Sequence, residues 1–328
     1  MSSYGNQAQE QGTTTQRSKR DRIGLAIGRG DAAAAVEQIV EAEAAGLSQI
    51  WMTQGTPAPD TLTIFTAAAM KTSKVRLGTA IVPTYPRHPL ALAQQALALE
   101  DLAPGRLRLG IGPSHRPIIE GVYGIPMKTP LEHLREYVAI LRGLLWQGNV
   151  DHHGQFYTVK STFPRTPKTP ILISGLREGA YQLAGEVADG VISWVSPVPF
   201  LLQKAVPALR EGAARSGRPV PPVIAHIPVA FSADRTAVLA ATRQQLSYYG
   251  QLPFYASMFA SAGFPVEAGG KLSDALIDNL VVSGNEETIQ ARLNNLLEQG
   301  LDELLVMPIA VVDASAEQKQ LARLLGQM

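Results

Sequence analysis

From Arg22 onward the chain repeats one unit, a short apolar run of strand character followed by a helix-length segment, and this alternation constrains its fold more than any other feature. The runs Ile23–Ile27, Gln49–Thr53, Val75–Thr79, Leu107–Ile111, Ile171–Ser174, Gly190–Ser193, Val223–Phe231 and Glu303–Met307 read as buried strands. Between them lie segments with helix start and stop signals. Asp31 stands at the N-cap of an alanine-rich helix over Ala32–Ala45, and a second helix covers Asp60–Lys71. His88-Pro89 opens the third, with proline where a missing N–H costs nothing and His88 placed to cap it. Thr129-Pro130-Leu131-Glu132 reads as a capping box, and Leu131, Leu134, Val138, Leu141 and Leu145 follow at helical spacing up to Gly148. Later helices cover Leu176–Val187, Pro199–Ser216, Asp234–Tyr249 and a segment capped by Asn285, whose Glu286 and Glu287 suit a helix N-terminus.

Two stretches interrupt the alternation. Val150–Val159 has the pattern of a hairpin turning at His153-Gly154, and residues 250–282 form a Gly/Pro/aromatic excursion over one face. Eight strand–helix units in about 300 residues fit a closed (β/α)8 TIM barrel better than an open doubly wound sheet. The expectation is an α/β single domain over residues 21–328, with insertions after the fourth-strand helix and after the seventh strand. Met1–Arg20 is Ser/Thr/Gln-rich, lacks the apolar segment of a secretory signal, and reads as a disordered tail.

Composition removes several classes of function. With 29 basic and 28 acidic residues the net charge is +1, which offers no electrostatic footprint for nucleic acid or an anionic membrane surface. The absence of cysteine excludes disulfides, thiolate metal sites and cysteine nucleophiles, and suits a cytoplasmic setting. No apolar run approaches the roughly 18 residues that span a bilayer. The histidines are dispersed and suggest no metal site.

In a strand–helix protein the chemistry sits at the C-terminal ends of the strands. Here those ends run into Gln54, Ala80-Ile81, Gly112-Pro113-Ser114, Gly175-Leu176, Trp194 and Pro308, with no carboxylate or lysine among them. The lysines from Lys71 to Lys319 fall in helices, loops or early strand positions, which argues against Schiff-base chemistry. A mouth of small residues, amides and backbone N–H groups suits a large planar cofactor that brings its own reactivity. Leu109-Gly110-Ile111-Gly112 is not a dinucleotide fingerprint, because His115 stands where the third glycine belongs.

Individual residues leave two readings open. Gly112 either lets a planar ring approach the backbone or only permits a tight turn. His115, just past the fourth strand, either donates a proton or hydrogen bond to a substrate or is a loop histidine satisfied by backbone. Ser174-Gly175-Leu176-Arg177 enters a helix directly, as a phosphate site or as an ordinary cap by Ser174. Gln54 offers an amide where an acid or base would stand. Trp194 can wall a flat ring, Trp51 belongs to the core, and Tyr255, Met258, Phe259 and Phe264 shape an apolar pocket.

Three segments, taken in order, resemble a known family. They are Leu77-Gly78-Thr79-Ala80-Ile81-Val82-Pro83-Thr84-Tyr85-Pro86-Arg87-His88-Pro89, then Gly105-Arg106-Leu107-Arg108-Leu109-Gly110-Ile111-Gly112, then Leu183-Ala184-Gly185-Glu186-Val187-Ala188-Asp189-Gly190. Together they are similar to the luciferase-like flavin and deazaflavin enzymes, in the branch that uses coenzyme F420. The resemblance implies a homodimeric TIM barrel with the insertion after the seventh strand lying over the mouth. It implies a third-strand bulge at Thr79, Ala80 and Ile81 backing the cofactor ring, with Ala80–Ile81 as a cis peptide. It also implies that Ser174, Gly175, Leu176 and Arg177 hold the phosphate tail, and Gly112 and Ser114 are expected to line the same cofactor site.

The chain departs from the F420-dependent dehydrogenases of that branch. Their second strand ends in Asp-His where this chain has Gln54-Gly55, and their glutamate after the fourth strand is replaced by His115. Reduction of an activated C=C, C=N or C=O bond then becomes the expected reaction, with His115 protonating or polarising the substrate, Gln54 orienting it, and Trp194, Tyr255 and Phe259 enclosing it. The competing readings are an FMN-dependent monooxygenase on the same scaffold and a flavin-binding protein without turnover.

Overall fold

The alternation closes on itself. The computed structural model of the chain describes residues 18–28 and 30–328. Among these, eight parallel strands form the barrel: β1 (Ile23–Ala26), β2 (Gln49–Met52), β3 (Arg76–Thr79), β4 (Leu107–Gly112), β5 (Ile171–Gly175), β6 (Gly190–Ser193), β7 (Val223–Ala230) and β8 (Glu303–Pro308). Each pairs with its sequence neighbour, and β8 returns to β1 through Ile23 opposite Leu304 and Leu25 opposite Val306. The sequence order and the spatial order coincide because each right-handed crossover helix returns the chain one strand further round. Of the tail expected over Met1–Arg20, residues 1–17 lie outside the described residues. Ser18 caps a short 3-10 turn, Lys19–Arg22, and the Arg20 guanidinium donates to the Gly46 carbonyl oxygen.

Most helix starts follow their sequence signals. Asp31, Asp60, Asp234 and Asn285 each accept a backbone N–H from the first turn of the helix they precede, and His88 Nδ1 accepts from Leu90 N–H. The capping box does not form. Thr129 sits at φ 35°, a left-handed conformation in place of the extended one an N-cap adopts, and its side chain makes no cap hydrogen bond to Pro130–Arg142. Leu134, Val138, Leu141 and Leu145 are buried as their spacing requires, whereas Leu131 faces solvent. The first insertion is an antiparallel hairpin, Asn149–His153 with Thr158–Thr162. The second, after β7, folds as Arg235–Gly250, Pro253–Ser261 and Asp274–Leu280.

Side chains alternate inward and outward along the barrel strands, so the interior fills in layers. At the N-terminal floor Arg108 donates to Glu303 (2.5 and 3.2 Å) and to Gln49 (2.7 Å), all three buried. Above it Trp51, Leu172, Ile192, Ile224 and Leu305 form one apolar plug with Ala26. The Trp51 ring occupies the space that Cβ atoms on Gly24 and Gly78 would need, so those glycines make room for the indole. Ala80, Ile81, Trp194 and Met307 cap this cluster on the side of the mouth.

Candidate active site

β3 breaks where its sequence runs from Thr79 into Ala80. Thr79 Oγ1 donates to the Gly110 carbonyl (2.7 Å) and accepts the Gly110 N–H (2.8 Å), which ties the end of β3 to β4. The Ala80–Ile81 peptide is cis, as the resemblance implied. The Ala80 N–H donates to Met52 O (2.7 Å), and Val82–Pro83 rejoins β4 opposite Ile111 and Gly112. Residues 79–81 thus face only Leu109 and Gly110 between the paired positions, a bulge in the pairing with β4 that stays bonded to the β2 side. A Cβ on Gly110 would run into the Thr79 carbonyl oxygen and lie 2.6 Å from Ile192 Cδ1, so glycine is required for this close approach. At Gly112 the same space is taken by Ser174 Oγ, with Ser174 Cβ at 3.0 Å and Ile81 Cγ1 at 3.2 Å. Gly112, Ile81 and Ser174 therefore meet across three strands. The glycine's missing side chain is filled by its neighbours, and the surface offered to a ring is the one they build together.

Next to β5, Trp194 follows β6 and forms an aromatic wall. Its indole stacks on His226 with ring centroids 3.9 Å apart and planes 24° from parallel, and its Nε1 donates to Tyr249 OH (2.7 Å). His226 is fully buried in β7, where its Nδ1 accepts the Val195 N–H (3.2 Å) and its Nε2 lies 3.5 Å from Met307 Sδ. Accepting at Nδ1 leaves the proton on Nε2. Burial pushes this imidazole down to about 3, so it is neutral across physiological pH. Val195 and Ser114, both non-glycine residues just beyond strand ends, sit at φ 48° and 62°. Such left-handed positions persist where surrounding contacts enforce them, and they gather at functional sites.

His115 lies at the start of a short helix, Arg116–Gly121, with no hydrogen bond from its side chain to the helix it precedes. Its ring is enclosed edge-on by Tyr248, Tyr249 and Tyr255, at centroid distances of 6.1, 6.1 and 5.7 Å. Burial among these rings lowers its pKa below the usual 6.5, which favours the neutral imidazole at pH 7. Tyr248 and Tyr249 were not singled out by sequence reasoning. They close the last turn of a helix whose pattern is otherwise ordinary, and the one available signal was an aromatic pair directly before an irregular excursion.

The remaining candidates divide. Gln54 is partly committed to structure, since its Oε1 accepts the Thr61 N–H (2.7 Å) and so fastens the start of Thr61–Ala69, leaving its amide nitrogen for a ligand. Ser174 caps nothing. The helix Glu178–Val187 has Arg177 at its N-cap and no side-chain cap bond. Gly175 is buried against the Tyr181 ring, Leu176 is half-buried, and the exposed Arg177 guanidinium lies over Phe254 at 4.8 Å. Tyr255 joins the aromatic wall, whereas Phe259 is fully buried and packs behind Tyr255 rather than lining the opening. Thus Thr79, Ala80, Ile81, Gly112 and Ser174 form one side of the mouth, and Trp194, Tyr249, Tyr255 and His115 form a linked second side.

The other histidines are held elsewhere. His133 stacks on Tyr85 (4.0 Å, 5°) and its Nε2 lies 2.9 Å from Tyr157 OH, while burial pushes it down to about 4. His152 pairs with Glu136 and His153 with Asp151 on the hairpin.

A family profile described as luciferase-like monooxygenase matches residues 6–303. An F420-dependent glucose-6-phosphate dehydrogenase from Beutenbergia cavernae is 31% identical over 274 residues, covering 78% of this chain and 79% of that protein. The 5,10-methylenetetrahydromethanopterin reductase of Methanolobus tindarius is 27% identical over 285 residues, covering 80% and 86%. Among solved structures, an F420-dependent secondary alcohol dehydrogenase in complex with an F420–acetone adduct superposes with a TM-score of 0.77 at 20% identity, over 92% of this chain and 97% of that one, a likeness of fold.

Proposed function

The chain belongs to the luciferase-like monooxygenase family, and from that premise we propose that it is an F420-dependent oxidoreductase that reduces an activated C=C, C=N or C=O bond in a small molecule. The observation that carries this reading is the pairing of two unlike walls. One is a main-chain bulge buttressed by Gly112 and Ser174, and the other is an aromatic wall whose two histidines are neutral. Neither wall contains a carboxylate, a lysine or a thiol, so a redox step has to draw on a cofactor.

The residues present fit such a group. The bulge at Thr79, Ala80 and Ile81 with Gly112 and Ser114 would back a flat ring system. Ser174, Gly175, Leu176 and Arg177 lead into a helix N-terminus suited to a phosphate. When bound, the reduced deazaflavin supplies a hydride from its C5. His115, neutral at pH 7, donates an N–H hydrogen bond to the substrate atom that gains electron density, and solvent completes the protonation. The Gln54 amide nitrogen orients the same substrate. The aromatic wall excludes water from the transfer.

A homodimer acting on a small molecule in the cytoplasm is part of the same proposal. Among the described residues no helix is long and apolar enough to cross a membrane, and sedimentation velocity reads the assembly directly. Parallel titrations of the purified protein with F420 and with FMN test the cofactor. Saturable F420 binding with no FMN binding supports the reading. Tight FMN binding with no affinity for F420 overturns it in favour of the monooxygenase.

A further inference from the structure

Trp194 is restrained far more than an aromatic side chain at a strand end needs for packing. One face lies on His226, its N–H is taken by Tyr249 OH, and the next residue, Val195, is fixed at φ 48° by an N–H bond to the same histidine. Those restraints come from three separate elements, β7, the helix Arg235–Gly250 and the loop after β6. The indole of Trp51 in the barrel plug, by contrast, packs among apolar side chains and makes no hydrogen bond through Nε1. This one stays half-buried, at the boundary between the barrel plug and the mouth.

Resting on the function proposed above, we propose that Trp194 is the specificity-determining residue of the substrate half of the site, held as a preset flat wall by His226 and Tyr249 as positioning residues, and that it selects planar, uncharged, conjugated compounds. A fixed π face gains most from a second flat partner, and it gains without an ordering cost because the indole is already immobilised. The groups beside it, His115, Tyr249 and Tyr255, present rings and neutral polar atoms. An anionic, puckered ligand such as a sugar phosphate would lose its hydration there, with no cation among the described residues of this wall to replace it.

The test uses full-length protein and menadione as a planar uncharged probe, read by saturation-transfer NMR, with glucose 6-phosphate as the comparison ligand and F420 titrated separately. Saturable menadione binding is expected in the wild type and in Trp194→Phe, which keeps a flat ring. Affinity should fall about tenfold in Trp194→Ala, the scale of one lost aromatic pair. His226→Gln and Tyr249→Phe, which free the indole without removing it, should each weaken menadione about threefold and red-shift or broaden the Trp emission, with F420 affinity unchanged. Menadione binding that is undiminished in Trp194→Ala, or glucose 6-phosphate that displaces menadione, overturns the inference. F420 binding without menadione binding in the wild type also overturns it while leaving the cofactor assignment standing. Trp194-dependent menadione binding without F420 binding does the reverse. Should Trp194→Ala fail to fold, Tyr249→Phe and His226→Gln decide through the emission change and the loss of menadione affinity.

Discussion

The two ends of the barrel are built on opposite electrostatic terms. At the floor, Arg108 and Glu303 are ionisable groups buried together, joined by two hydrogen bonds, supplemented by Gln49 and covered by the Trp51 ring 4.8 Å from the guanidinium. At the mouth the imidazoles of His226 and His115 are held neutral, one accepting a backbone N–H and the other ringed by tyrosines. Buried charge is tolerable only when it is paired and its remaining donors are satisfied, and such a pair is then spent on holding strands together. A mouth kept neutral supplies no electron or hydride donor of its own, and on the proposed function it would lay flat surfaces against a cofactor and substrate without competing for them. On the proposed function, the difference leaves stability to one end and binding to the other.

The largest break in that division is Glu303→Gln, which leaves Arg108 buried and unpaired and should cost about 3–5 kcal/mol in urea denaturation. F420 affinity of the folded fraction should not change. Replacing both partners at once, Arg108→Met with Glu303→Leu, should cost less than Glu303→Gln alone, because the Arg108 charge is removed with its partner. At the mouth, His115→Gln should lower turnover about 10²-fold while leaving stability and F420 affinity intact, the reverse of the floor mutants. Gly110→Ala tests the seam between the two ends. Its Cβ would strike the Thr79 carbonyl, and a loss of about 1–3 kcal/mol is expected in thermal or urea unfolding.

A pH series sharpens the same contrast. His226 is neutral in the folded protein down to about 3, whereas an unfolded histidine protonates near 6.5. The unfolded state therefore binds the extra proton between those values. Stability should be fully present above pH 6.5 and decline by about 1.4 kcal/mol per pH unit as pH falls below it, with His133 adding to the slope until about 4. His226→Phe should flatten part of that decline. The smallest effect belongs to the rim. Asp31→Ala removes one N-cap bond to Ala34 N–H and should cost about 1 kcal/mol with no change at the site.

Much of this fold was legible because strand–helix alternation and helix caps are local signals. Asp31, Asn285 and the His88-Pro89 start each act within one turn of the residues that reveal them. Thr129 misled for a physical reason. Its sequence context is that of a capping residue, but the chain arrives left-handed and the side chain makes no cap bond. Ser174 likewise reads as a cap, yet it occupies the space above Gly112 on a neighbouring strand. The site was legible on its β3–β4 side, where Thr79-Ala80-Ile81 and Gly110-Ile111-Gly112 carry their meaning in short motifs. Its aromatic side was legible only in Trp194, Tyr255 and His115, because the partners that hold the indole, His226 and Tyr249, come from other elements and meet it only on folding. Arg108 and Glu303, 195 residues apart, are invisible to any local reading for the same reason.

The claim beneath all of this is that the bulge, Gly112 and Ser174 form a cradle for a deazaflavin. Equilibrium titration of F420 against the wild type and Gly112→Ala, followed by deazaflavin fluorescence, tests it most directly, because the added Cβ displaces Ser174 and Ile81 at the rim without touching the floor. The account predicts saturable F420 binding to the wild type and a loss of at least about tenfold in the variant, with both proteins folded. F420 affinity that is absent in the wild type, or identical in the two, would contradict it.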